Sequence, residues 1–323
     1  MITLFFWIVV FIFSLAVLIL AADRFTKTAE NIGVAMRIPA FIVGVTIVSI
    51  GTSLPELMTG LIATLKSTAA DDVTSIVVAN AMGSNIANIL LISGICAVFA
   101  GVLAIKRKLI NLDLPLVLMA TALLAFIAWD GTINWQEGLI LLVAYGVYVS
   151  YSLSRHSREE AEVADLPKKV RAEKKFKPAW IVVLLVTSFF IYIGAKYTID
   201  SLIEIADIVG IASSAIALSA VAFGTSLPEL VVSVLAVRRK EFNIAIGNII
   251  GSNVFNATLV VGLPALIKDL TMTEIDLAIG IPFFIVSAIL FTISGITKKM
   301  YSYEGAFYLL LYIVFIAKLF NLF

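Results

Sequence analysis

Apolar residues run along this chain in stretches long enough to cross a bilayer, separated by short polar turns. Ten such stretches fall at 2–22, 39–67, 74–100, 109–129, 135–154, 179–203, 212–237, 243–267, 274–296 and 303–322. About 20 apolar residues span the ~30 Å hydrocarbon core as a helix. Hydrocarbon has no water for unpaired backbone groups, so a spanning segment is a helix or part of a closed barrel. Barrel strands would be shorter and alternate in polarity. The pattern predicts an all-α polytopic membrane protein with ten transmembrane helices. The first stretch lacks a basic start and is long enough to span, so it reads as a helix that stays rather than a cleaved leader.

Composition agrees. Of 323 residues, 61% are hydrophobic and 14% charged, and the mean hydropathy is +1.07. A soluble domain carries far more polar surface, so the lipid bilayer is the chain's main partner. The net charge of +1 lacks the basic excess of a nucleic-acid-binding protein. The single Cys96 cannot form an internal disulfide, and the single His156 falls in a polar loop. Nothing in the residues sets an oligomeric state.

Lysine and arginine set the orientation. With the N-terminus outside, 19 of the 23 basic residues fall in inward loops, at 24–37, 106–108, 155–177, 238–240 and 298–299. Only Lys66, Lys196, Lys268 and Lys318 fall on the outer side. By the positive-inside rule both termini lie outside and the 155–178 loop lies in the cytoplasm. That loop mixes acids and bases and reads as a solvated linker between a first half, 1–154, and a second, 179–323.

The halves share two phrases. Gly-Thr-Ser-Leu-Pro-Glu-Leu stands at 51–57 and again at 224–230. Each copy is followed by a second phrase, Asn80 to Asn88 and Asn248 to Asn256, both containing Gly-Ser-Asn. Five predicted spans per half is an odd number, so the second half enters the membrane from the opposite side. The result is two inverted five-helix repeats, a plan that places a secondary transporter's site near the midplane.

The phrases carry cation chemistry. Glu56 and Glu229 sit inside apolar stretches, where an ionised carboxylate costs several kcal/mol unless paired or facing water. No basic residue is positioned to pair with them, so a bound metal cation is the simplest counter-charge. Pro55 and Pro228 cannot donate to the carbonyls of Gly51 and Gly224, which loosens the helix beside Thr52, Ser53, Thr225 and Ser226. Ser84 and Asn88 are four apart, as are Ser252 and Asn256, so each pair faces one way. Asn85 and Asn253 lie between them. Hard cations take such oxygen ligands, and Gly83 and Gly251 permit close helix approach. No nucleophile–base pair, zinc-ligand cluster or phosphate loop accompanies the set, so an enzyme reading has little support and no cofactor is expected. Asp71, Asp72, Asp200, Glu204 and Asp207 fall on or near the outer side and read as solvated turn residues that also attract cations.

With both phrases present in both halves, the sequence resembles the cation/calcium exchanger superfamily and, within it, the sodium/calcium exchangers. The resemblance implies that Glu56 and Glu229 ligate calcium with the carbonyls of Thr52 and Thr225. It implies sodium sites drawn from Thr52, Ser53, Thr225, Ser226, Ser84, Ser252 and the carbonyl of Ala222, with Asn88 and Asn256 lining the centre. Some prokaryotic members and potassium-dependent relatives carry aspartate where this chain has Asn256. Two carboxylates neutralise one calcium, whereas three sodium ions leave one positive charge. The expectation is electrogenic sodium/calcium antiport without potassium, by alternating access, in a prokaryotic inner membrane. The alternatives are a proton/calcium antiporter on the same fold, although such relatives usually carry an acid in the second phrase, and a cation channel. A further departure lies between the halves: Ala79 precedes Asn80 where Gly247 precedes Asn248, and only a small packing change is expected from it.

Overall fold

The computed structural model describes residues 2–36, 38–68, 72–104, 113–163, 176–209, 224–320 and 322. They form α1 (Ile2–Met36), α2 (Ala40–Lys66), α3 (Ser75–Ala100), α4 (Asp113–Asp130), α5 (Trp135–Val163), α6 (Ala179–Val209), α7 (Leu227–Arg238), α8 (Phe242–Ala265), α9 (Asp276–Ile296) and α10 (Ser302–Leu319). Eight of these are long and apolar enough to cross a membrane; α5 and α7 are the other two. The stretch predicted at 212–237 enters the described residues only at Gly224. Arg37, Asp71, Lys106, Arg107, Lys108 and Ala222 lie outside them.

Three helices run past their apolar stretches. α1 continues from 22 to Met36, α5 from 154 to Val163 and α6 from 203 to Val209. Hydropathy marks where lipid ends, whereas a helix ends where a breaker or a missing cap stops it. The run after 154 is rich in Arg, Glu and Ala, all good helix formers. Past 22, Lys27 Nζ donates to Asp23 Oδ2 at 2.8 Å, four residues back.

Burial sorts the helices. α8 is almost wholly buried, and α2 and α3 are mostly so, while α1 and α6 turn most of their surface outward. The outward faces carry large apolar side chains such as Phe5, Phe13, Leu20, Val182, Leu185 and Phe189, which suits lipid and not water. α1 and α6 pack on each other: Thr198 Oγ1 donates to Ser14 Oγ at 3.1 Å, and Gly194 lies against the backbone of Leu18.

Two short antiparallel ribbons, absent from the sequence reading, tie the first half to the second. β1 (Val102–Ala104) pairs with β4 (Lys299–Tyr301), and β2 (Thr132–Ile133) pairs with β3 (Leu270–Thr271). β1/β4 joins two loops that the charge pattern puts on one face, and β2/β3 joins two that it puts on the other.

Beside the β2/β3 ribbon, the turn between α2 and α3 is anchored by Asp72. Its Oδ1 accepts from the Thr74 N–H at 3.0 Å and from Ser67 Oγ at 2.8 Å, and its Oδ2 accepts from Thr271 Oγ1 at 3.2 Å. These donors, the Thr74 N–H foremost, favour the ionised form and bring the carboxyl from 3.8 down to about 2. A folded value below the unfolded one gives stability that is present above pH 3.8 and is lost as pH falls through about 2. The stability difference between wild type and Asp72→Asn, measured by thermal unfolding in detergent, is therefore expected to close across that window. A difference that stays constant with pH would refute it.

At the opposite end, Arg239 Nη2 donates to Asp23 Oδ1 and, at 3.4 Å, to the Asp23 carbonyl, joining α1 to the end of α7. Counted from the two signatures, the matching positions in the other half are both lysines, Lys196 and Lys66, which cannot form the same ion pair.

The backbones of α2 and α8 touch. A Cβ on Gly247 would lie 2.5 Å from the Phe41 carbonyl oxygen and 3.0 Å from Gly44 Cα. A Cβ on Gly251 would collide with Ser49 and the Val45 carbonyl. The Gly247/Ala79 difference is thus no small packing change, because no flexible side chain there can yield. Gly83, expected to admit a close helix, has no described residue within 4 Å of an added Cβ.

Candidate functional site

The two copies of the signature fold differently. In the first, Ser49–Lys66 is continuous α-helix with Pro55 inside it. The loosening expected at Gly51–Pro55 appears instead upstream, as a π-helical turn at Gly44–Val48. In the second, Thr225 and Ser226 form a turn, and the helix restarts at Leu227 with Pro228 in its first turn. There proline costs nothing, because the first turn has no intrahelical acceptor for its missing N–H. The second phrases behave alike: π-helical segments run over Ala87–Ile92 in α3 and Asn256–Val260 in α8. Such widened turns recur at functional sites, and these carry Asn88 and Asn256.

The structure gathers these side chains in the interior. Glu56, Glu229, Thr52, Ser53, Ser226, Ser84, Ser252, Asn88 and Asn256 are all buried, and Thr225 is half-buried. Ser53 Oγ donates to Glu229 Oε1 at 2.8 Å and lies 2.9 Å from Ser252 Oγ, joining α2, α7 and α8. Ser84 Oγ lies 3.1 Å from Thr225 Oγ1, joining α3 to the second signature. Asn85 Nδ2 donates to the Asn253 carbonyl at 2.9 Å, across α3 and α8. Phe25 of α1 lies on Gly51 and Ile199 of α6 lies on Gly224, so the two outward helices touch both signatures.

Much of this cluster is left without partners. Both oxygens of Glu56, Oε2 of Glu229, Ser226 Oγ, the side-chain oxygens of Asn85 and Asn253, and both amide atoms of Asn88 and Asn256 are buried with no hydrogen-bond partner among the described residues. Buried polar atoms are normally paired. The described ion pairs are Lys27–Asp23 and Arg239–Asp23, and neither involves Glu56 or Glu229. No group of three or more His, Cys, Asp and Glu occurs among the described residues. The donor set is therefore two carboxylates amid neutral oxygens, which suits hard cations and not zinc or copper. Among the predicted residues, Ala222 alone lies outside the description.

The sequence reading left Asn80, Asn248 and Ser233 out of the site. Thr52 Oγ1 donates to Asn248 Oδ1 at 3.2 Å, Thr225 Oγ1 to Asn80 Oδ1 at 3.0 Å, and Asn248 Nδ2 to Ser233 Oγ at 3.0 Å. The available signal was an asparagine opening both copies of the second phrase.

Outward apolar helices around a buried carboxylate pair and its neutral oxygens define a polytopic membrane protein with an interior polar centre. The chain belongs to the sodium/calcium exchanger family, whose model, described as sodium/calcium exchanger protein, matches residues 6–154 and 179–321. It is 33% identical over 274 residues to inner membrane protein YrbG of Escherichia coli, covering 82% of this chain and 80% of that one. It is 30% identical to sodium/calcium exchanger MaX1 of Methanosarcina acetivorans, covering 96% of this chain and 97% of that one. A solved structure of the sodium-calcium exchanger NCX_Mj superposes with a TM-score of 0.80 at 27% identity, covering 99% of this chain and 100% of that one. The family consists of exchangers, so the chain is a cation/calcium antiporter of the membrane.

Proposed function

We propose that this protein exchanges sodium for calcium electrogenically and without potassium, by alternating access between two inverted five-helix repeats. Glu56 and Glu229 hold calcium with the carbonyls of Thr52 and Thr225. Sodium takes the hydroxyls of Thr52, Ser53, Thr225, Ser226, Ser84 and Ser252 and the carbonyl of Ala222, and Asn88 and Asn256 line the centre. The observation that carries this reading is the set of buried carboxylate oxygens without partners among the described residues, three of the four on Glu56 and Glu229. Competition for these two charges enforces exchange. An ion-loaded centre is close to neutral and lets α1 and α6 slide past the rest, whereas bare carboxylates oppose that step. With Asn256 an amide, the centre holds two negative charges, and three sodium ions per calcium move one net charge. That charge is worth about 2.3 kcal/mol per 100 mV. The basic loops favour both termini outside, and in a prokaryotic inner membrane the sodium gradient then drives calcium outward.

Liposomes loaded with sodium and diluted into sodium-free buffer test this. Labelled calcium should enter, and an inside-positive potential should speed its entry, because one positive charge leaves per cycle. Uptake indifferent to sodium but driven by a pH gradient would replace the reading with proton coupling. Uptake without any counter-ion would replace it with a channel.

A further inference from the structure

Counted from the signatures, Thr52 matches Thr225, Asn248 matches Asn80, and Ser233, four residues past Glu229, matches Gly60, four residues past Glu56. Each signature threonine points its hydroxyl at the amide oxygen of the asparagine in the opposite phrase, at 3.2 Å for Thr52, whose proton also has the Ser49 carbonyl within reach at 3.3 Å, and at 3.0 Å for Thr225. A hydroxyl has one proton and two acceptor lone pairs. A threonine that gives its proton to an amide oxygen behind it keeps its lone pairs for a cation. If the amide turned over, its NH₂ would donate to the hydroxyl and occupy a lone pair that a cation would otherwise use.

The two halves differ in what prevents that reversal. Asn248 is locked: its Nδ2 donates to Ser233 Oγ at 3.0 Å, and Thr52, Asn248 and Ser233 are all fully buried. Asn80 is not locked. Glycine stands where Ser233 would, and Asn80 Nδ2 is buried with no partner among the described residues. Thr225 also has a second side-chain partner. Its proton is on Asn80, so Ser84, 3.1 Å away, must donate to it and occupy a lone pair.

We propose that Asn248 and Ser233 are positioning residues that fix Thr52 as a sodium-accepting hydroxyl, and that Gly60 leaves Asn80 free to turn over, so the two halves bind sodium unequally. This rests on the antiport reading above. Calcium depends mainly on carboxylate charge and should respond less than sodium.

Exchanging the lock between halves tests it. A Cβ on Gly60 would meet Val77 Cγ1 at 3.3 Å and the next atoms at 3.6 Å, so Gly60→Ser fits with a slight shift of one valine side chain. The full chain in liposomes gives the half-saturating concentrations of sodium and of calcium. Ser233→Ala is expected to raise the sodium value roughly three- to tenfold, the equivalent of one hydrogen bond, and the calcium value less than about twofold. Gly60→Ser is expected to lower the sodium value, and the double variant to return it toward wild type. The sodium-dependent shift in melting temperature of purified Gly60→Ser, expected to begin at lower sodium, reads the same effect without transport. Equal sodium and calcium shifts in Ser233→Ala would mark a merely structural role and overturn the proposal. So would sodium curves that coincide in all variants while wild-type uptake still needs sodium, which leaves antiport standing. Wild-type uptake that ignores sodium would overturn both.

Discussion

Glu56→Gln and Glu229→Gln should each lower sodium-driven calcium uptake by more than a hundredfold. Each substitution keeps the shape of the side chain and removes one of the two negative charges in a dry centre. Removing one partner of a buried charge pair costs about 3–5 kcal/mol, and each ~1.4 kcal/mol is tenfold in affinity. The two variants are not equivalent. Both oxygens of Glu56 are without hydrogen-bond partners among the described residues, so Glu56→Gln breaks no hydrogen bond among them. Glu229 accepts from Ser53, so Glu229→Gln also disturbs the link from α2 to α8 through Ser252. A second readout separates lost binding from lost folding. With a chelator present, Glu56→Gln should melt no lower than wild type, because an unpaired buried carboxylate is itself destabilising. Added calcium raises the melting temperature of a protein that binds it only when folded. That rise should be present in wild type and absent in Glu56→Gln. A full calcium-dependent rise in Glu56→Gln would remove this carboxylate from the site.

The sequence revealed the fold where physics is one-dimensional. Lipid demands long apolar runs, so most spans were legible to within a few residues. The duplicated phrases named the buried carboxylates, because a glutamate in hydrocarbon needs a reason to be there. The misses belong to three dimensions. The extra turns of α1, α5 and α6 lie beyond the lipid, where hydropathy is silent. The π-helical turns after Gly44 and at Asn88 and Asn256 depend on how neighbouring helices pack, which no local propensity encodes. In the sequence Ser233 is a lone serine among valines and leucines. It acquires meaning only beside Asn248, fifteen residues away in sequence and 3.0 Å away in space. Gly60 is legible only as the place where its partner is missing.

Gly247→Val should prevent the fold from closing, and Gly247→Ala should close it badly. α2 and α8 meet here backbone to backbone: a Cβ on Gly44 would lie 2.6 Å from the Ile244 carbonyl oxygen and 2.9 Å from Gly247 Cα, the mirror of what Gly247 would meet. Relief requires the helices themselves to part. Overpacking by even one methylene typically costs about 1–3 kcal/mol, and valine adds more. The same contact sets the site. Asn248 adjoins Gly247, and Thr52 and Ser53 on α2 reach Asn248 and Ser252 on α8 at 3.2 and 2.9 Å. Parting the helices by about 1 Å breaks both hydrogen bonds, which do not survive much beyond 3.5 Å. The expected result for Gly247→Ala is a protein less stable by about 1–3 kcal/mol with uptake down at least tenfold, and for Gly247→Val an aggregated peak on size exclusion. Ala79→Gly, at the matching position, should cost only the ~0.5–1 kcal/mol of a helical glycine. Equal effects of Gly247→Ala and Ala79→Gly on melting temperature and uptake would show that the α2–α8 contact does not set the geometry of the centre.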